Sequence, residues 1–241
     1  MKYGNPKIQS LNKTAFLLRW NETPDDDFLS YLLSLKSFLQ KEFSAEITHT
    51  YNEILLRFST ANPKAGKKLD RLISAFDTEP KNEKRARKLH HLPVCYDPKF
   101  GLDIPLICEI NKLSEEELLS LHSRPSYLVY FIGFLPGFLY LQGLNEKLHI
   151  NRRAVPRKRI PAGAVGIAGE QTGIYPHASP AGWQLIGNCP IPLFDAKKDP
   201  PSIFSPADRI QFVPVDLQEH QKITDLLRQG KYNHKITDYE H

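Results

Sequence analysis

The chain has 241 residues, 41% of them hydrophobic and 24% charged, enough apolar mass for packed cores and too little bias for global disorder. The formal net charge of +5 and pI near 9.0 raise nucleic acid as a partner. The charge, however, falls in two runs, 81–91 and 152–159, without interleaved aromatics or a recognition helix, so no nucleic-acid partner is expected. No apolar run approaches the ~20 residues of a membrane span, and MKYGNPKIQSLNK lacks the apolar centre of a signal peptide. Cys95, Cys108 and Cys189 are odd in number and far apart. A cytoplasmic chain with no disulfide framework and no membrane contact is expected.

In chain order, residues 8–11 and 14–20 alternate around the polar Asn12-Lys13 and predict a hairpin. Thr23-Pro24-Asp25-Asp26-Asp27 predicts a helix start, with Thr23 as cap, Pro24 in the first turn and the carboxylates at the positive end of the dipole. Phe28, Leu32, Leu35 and Leu39 continue at helical spacing. Two strands, 46–50 and 53–58, turn at Tyr51-Asn52, and 65–76 predicts a second helix carrying Leu69, Leu72, Ile73 and Phe76. This ββαββα order predicts a small α+β domain over residues 1–88, with helices on one face of an antiparallel sheet. KNEKRARKLHH at 81–91, between Pro80 and Pro93, reads as a solvated inter-domain segment.

The second domain, 89–241, opens with a predicted strand at 91–96. Asp103 is placed to cap a short helix over 104–110, and Ser114 and Glu117 form a capping box for a helix reaching His122. From Ser126 to about residue 215, short apolar runs are bounded by Gly and Pro, with no ten-residue helix pattern between them. Such density fits a closed β-barrel better than a doubly wound sheet. Residues 218–229 predict a last helix, and the final ten residues a loose tail. The expected fold class is therefore α+β: an α+β sandwich domain followed by a mainly β barrel.

Three stretches carry candidate chemistry. Gly133, Pro136 and Gly137 lie among Phe131, Phe134, Phe138 and Tyr140 and form either a bend between barrel strands or the wall of a pocket. Gln171, Thr172 and Tyr175, with Trp183 and Gln184 nearby, are polar groups in an apolar barrel, and they need either one another or a ligand. In the basic run, Arg152, Arg153 and Lys158 read as a surface loop. Arg157 is the candidate to clamp a carboxylate, phosphate or carbamate with its planar fork. Gly163, Gly166 and Gly169 recur every three residues, which is not the G-x-G-x-x-G fingerprint, and no G-x-x-x-x-G-K-[ST], H-E-x-x-H or G-x-S-x-G is present. The nine histidines are scattered, so no metal site is expected.

GFLPGFLYLQGL, PAGAVGIAGEQTGIYP, SPAGWQLIG and LFD, in this order and preceded by LPVCYDPKFGLDI at 92–104, resemble one family. It holds the B-type component of bacterial ATP-dependent 5-oxoprolinase, the KipI-type inhibitor of a sporulation histidine kinase, and allophanate hydrolase subunit 1. The resemblance implies a cyclophilin-like barrel and a non-autonomous enzyme subunit that helps convert 5-oxo-L-proline to L-glutamate. It further implies a KipA-like C-type barrel subunit and an A-type subunit as partners, with ATP bound together with them. Arg157 would stabilise developing negative charge, and Gln171, Thr172 and Tyr175 would orient substrate. Pro136, Gly137, Phe138, Pro161, Ala162 and Gly163 would line a pocket shared with the C-type partner. The other members imply two alternatives, inhibition of a sensor histidine kinase and membership of an allophanate or urea carboxylase system.

The sequence departs from the family pattern at several positions. Asn151 replaces a proline, Asn188 an arginine, and Ala181 and Ala207 replace glycines. The usual Gly-Asp-Ser-Ala opening is represented by Asn12-Lys13-Thr14-Ala15. A Gly→Ala change matters only where the backbone needs a positive φ. Loss of Arg at 188 removes a possible anion contact.

Overall fold

Period-two alternation and one amphipathic stripe explain the first part of the chain. A computed structural model describes residues 3–76 and 87–239 and divides the chain into two compact units, Met1–Arg85 and Ala86–His241. In the first, β1 (Lys7–Asn12), β2 (Ala15–Arg19), β3 (Glu46–His49) and β4 (Glu53–Arg57) form an antiparallel sheet in the order β1-β2-β4-β3. Helices α1 (Asp26–Glu42) and α2 (Ala65–Ala75) complete the expected ββαββα order. Phe16, Leu18, Ile54 and Leu56 are buried at alternate positions of the sheet, as are Phe28, Leu32, Leu35 and Leu39 of α1. Trp20 meets Phe28 edge-on at 6.1 Å, which locks the stripe onto the sheet.

The cap of α1 differs from expectation. Asp25, not Thr23, accepts the Phe28 N–H at 2.7 Å. An ionised carboxylate makes the stronger, charge-assisted bond, so the helix starts later than the Thr-Pro pair suggests.

In the second unit β5 (Arg87–Cys95) is followed by α3 (Ile104–Asn111), α4 (Glu115–Ser123), β6 (Ser126–Ile132) and β7 (Leu139–Gln142). Next come β8 (Arg157–Ile160), β9 (Ala164–Ala168), β10 (Gln171–Ile174), β11 (Ser179–Ala181) and β12 (Gln184–Asn188). The chain closes with β13 (Arg209–Val215), α5 (Leu217–Arg228) and β14 (Ile236–Tyr239). Strands pair in the order β12-β9-β10-β7-β6-β13-β5, and β12 returns to β5 at Asn188–Cys95, so seven strands close the expected barrel. The β13–β5 pair is parallel. The capping box of Ser114 and Glu117 opens α4 as the sequence indicates.

Two segments correct the sequence reading. The strand begins at Arg87 rather than at 91, and His90, expected in a solvated run, is fully buried with Nδ1 3.0 Å from His234 Nε2. Residues 81–86 of that run lie outside the described residues. The tail is also less loose than expected, since β14 pairs antiparallel with β5 from Ile236–His90 to Tyr239–Arg87. The cause is common to both. Strand β12 reaches β5 only at its last residue, which leaves the first half of β5 an open edge that β14 satisfies.

Strands β9 and β12 are buried on both faces, as is β10 after its first residue. Leu139, Leu141, Val165, Ile167, Ile174 and Ile186 point into the barrel core. Their alternates Phe138, Ala164, Ala168, Tyr175 and Leu185 form a second apolar cluster on the outer face, joined by Ile160 of β8, Ala181 of β11 and Trp183. This outer face is covered by the β8–β11 ribbon and adjoins the candidate site.

Candidate functional site

The outer cluster is aromatic. Phe138 lies edge-on to Tyr175 at 5.2 Å and to Trp183 at 5.5 Å, and tilts against Tyr140 at 4.9 Å. Arg152 stands over the Trp183 ring, 5.9 Å from its centroid. Burial pushes the Tyr175 phenol up to about 12, with Arg152 pulling weakly the other way. Tyr175 is therefore neutral at physiological pH, and it is a packing group with a polar tip rather than a base.

Beside this cluster the loop between Leu148 and Arg157 folds over a buried carboxylate. Asp103, only 4% exposed, accepts from Arg157 Nη2 at 2.8 Å and from Arg153 Nη1 at 3.2 Å on the same oxygen, Oδ1. Its Oδ2 accepts the Leu185 N–H at 2.6 Å. The side chain makes no cap bond to α3, correcting that expectation: two guanidiniums and a strand amide are better partners for a buried charge than helix N–H groups. Arg153 Nε and Arg157 Nη1 are buried without hydrogen-bond partners. Arg153 lies in the loop with its side chain 33% exposed and its guanidinium turned to Asp103, while Lys158 is exposed as expected.

A groove of about 770 Å³ opens here. Leu106 and Ile110 of α3 form one wall, Arg152 and Arg153 another, and Gln184 of β12 contributes to the lining. Gln184 is 5% exposed, and its Nε2 donates to the Asn151 carbonyl at 3.1 Å. Asn151 thus serves through its backbone, which a proline at that position would also supply.

The predicted site residues separate into three groups. Pro136, Gly137 and Phe138 form the bend before β7. Gly137 has φ +84°, and a Cβ there would lie 2.5 Å from Phe194 Cβ, so the glycine is needed for close approach. Pro161, Ala162 and Gly163 form the turn before β9, and Gly163 has φ +78°. Asn188 donates from Nδ2 to the Ala162 carbonyl at 2.9 Å and accepts from His220 Nε2 at 2.9 Å. The residue that replaces the family arginine thus pins this turn to α5.

The third group lies on β10 and divides by depth. Gln171 is half-buried at the start of the strand. Thr172 is fully buried, and its hydroxyl donates to the Gly166 carbonyl at 3.1 Å, so its oxygen accepts from His122 Nε2 at 2.9 Å. His122 Nδ1 then accepts from Tyr96 O–H at 2.7 Å, and burial lowers the imidazole to about 3. Thr172, which the sequence reading assigns to orienting substrate, is engaged in this internal chain through both its donor and its acceptor. Sequence reasoning missed the pairing of Asp103 with Arg153 and Arg157 and the place of Arg153 in the groove lining. For the groove, the available signal was Gln184, a polar side chain between Trp183 and the apolar Leu185-Ile186.

The family model described as the carboxyltransferase domain, subdomain C and D, matches residues 6–204. The chain belongs to this family. It is 42% identical over 134 residues to the B-type component of 5-oxoprolinase from Bacillus subtilis, a match covering 56% of each chain. Identity to the corresponding 5-oxoprolinase component of Escherichia coli O157:H7 is 49% over 123 residues, covering 51% of this chain and 56% of that one. These matches span just over half the length of the curated relatives. The crystal structure of the K. lactis urea amidolyase superposes with a TM-score of 0.78 over 98% of this chain and 16% of that one, at 19% identity, a likeness of fold. Among the described residues no helix is long and apolar enough to cross a membrane, and no His, Cys, Asp or Glu group could hold a metal ion.

Proposed function

We propose that this chain acts as the B-type component of an ATP-dependent 5-oxoprolinase, working with a C-type barrel subunit and an A-type subunit to convert 5-oxo-L-proline to L-glutamate. The observation that carries this reading is the 42% and 49% identity to two curated proteins of that name. The substrate is an unactivated lactam with a carboxylate, so the assembly must hold an anion firmly while a stable amide is activated. The arginine-rich groove suits the first task. Arg157 acts from behind the groove, since it and Arg153 share Asp103. Gln171 remains a candidate for orienting substrate, and Phe138 and Tyr175 hold the wall behind Arg152 rigid.

Gly163, Gly166 and Gly169 lie in and around β9, and a strand rather than a helix follows them, so these three glycines do not form a phosphate cradle at a helix start. In this reading ATP is bound together with the partner subunits. The test is co-purification of this chain with its host's C-type partner, followed by 5-oxoproline-dependent ATP hydrolysis once the A-type partner is added. A stable complex whose hydrolysis and glutamate release require all three chains is expected. Equal turnover without this chain would overturn the reading.

A further inference from the structure

We infer that the groove between α3 and the Arg152–Arg153 loop is a binding site for a small ligand bearing a carboxylate beside an N–H group, with Gln184 Oε1 accepting the N–H and Arg153 taking the carboxylate. The inference deepens the proposed function and rests on it for the identity of the ligand, because 5-oxo-L-proline carries this pair of groups.

Two residues that line this groove, Gln184 and Arg153, each carry a buried polar atom without a partner, one an acceptor and the other a donor. Gln184 Nε2 is spent on the Asn151 carbonyl, and that carbonyl also fixes the amide's orientation, since the flipped side chain would set oxygen against oxygen. Gln184 Oε1 is left buried without a partner. Arg153, which also lines the groove, has its Nε buried and without a partner. Native interiors supply partners for such groups with few exceptions, so an acceptor and a cationic donor left open together describe the complement they lack.

The charge balance points the same way. Arg153 and Arg157 share Oδ1 of Asp103 while Oδ2 is occupied by the Leu185 amide, so one carboxylate faces two guanidiniums and one positive charge is in excess. Arg152 adds another, with Glu170 also in the lining. Phosphate or a simple carboxylate would match the arginines yet leave Gln184 Oε1 open. A ligand that also donates an N–H satisfies both, and Leu106 and Ile110 offer an apolar wall to its ring methylenes.

The experiment is calorimetric titration of the full chain with L-5-oxoproline, its N-methyl derivative and 2-pyrrolidinone, which lacks the carboxylate. Binding of L-5-oxoproline is expected, weakened roughly tenfold or more by N-methylation, by loss of the carboxylate, by Gln184→Leu and by Arg153→Gln. In Gln184→Leu the N-methyl penalty should vanish, which ties the ligand N–H to that side chain. The ligand comparison on the unaltered chain needs no variant to fold. No heat at millimolar L-5-oxoproline, or equal affinity for the N-methyl compound, would overturn the site. If the ligand binds as expected but the reconstituted assembly shows no 5-oxoproline-dependent ATP hydrolysis, the enzymatic reading fails and the site stands. Turnover with unaltered KM in Gln184→Leu removes the site and leaves the function.

Discussion

Arg157 Nη2 lies 2.8 Å from Asp103 Oδ1, and this pair fixes the loop that frames the groove to the helix that forms its wall. The carboxylate is nearly inaccessible, so removing it strands charge that water cannot reach. Asp103→Ala should destabilise the second unit by about 3 kcal/mol. Urea unfolding followed by tryptophan fluorescence checks this, and Lys158→Ala, on the exposed side of the same run, should change stability by less than about 0.5 kcal/mol.

Thr172 separates structural from functional polarity on β10. Replacing it by valine leaves the His122 Nε2–H and the Gly166 carbonyl without this partner inside the barrel. Thr172→Val should cost about 2 kcal/mol of stability. In the reconstituted assembly, below its unfolding transition, the same variant should leave the KM for 5-oxoproline unchanged.

Stability should fall on mild acidification. The folded His122 imidazole is lowered to about 3 by burial, whereas the unfolded chain takes up that proton near the ordinary value of ~6.5. Its contribution is therefore complete above about pH 6.5 and is lost progressively toward about pH 3, with a limiting slope of ~1.4 kcal/mol per pH unit. His234, lowered to about 4 chiefly by burial, acts in the same sense over a shorter window. Unfolding free energies measured at about pH 7 and pH 5 should show this loss, and the His122→Gln variant a flatter dependence.

The two alanines that replace family glycines should behave oppositely. Ala207 has φ +74°, a left-handed conformation that costs an L-residue about 1 kcal/mol or more. Ala207→Gly should stabilise the chain by about that amount. Ala181 lies in β11 and is buried in the aromatic cluster, so Ala181→Gly should cost about 1 kcal/mol. Thermal unfolding of both variants checks the pair.

The fold was legible because its signals are local. The dense apolar run at 164–168, the Ser114–Glu117 box and the stripe of α1 each specify one element by chemistry within a few residues. The edge covered by β14 was not legible, because it depends on how far β12 reaches along β5. The groove was half legible. A basic run marked Arg157, but its partner Asp103 comes from α3's start and the groove residue Gln184 from β12, and only barrel closure brings these elements together. The hydrogen bond of Thr172 was not legible for a like reason: its partner His122 lies fifty residues earlier, and a polar side chain in a strand looks alike whether it faces a ligand or another side chain.

The most direct measurement is the KM for 5-oxoproline in ATP hydrolysis by the reconstituted assembly, compared between Arg153→Gln and Lys158→Gln. A groove that holds the substrate carboxylate predicts a KM raised roughly tenfold or more in Arg153→Gln and unchanged in Lys158→Gln. Equal KM values in the two variants would contradict it.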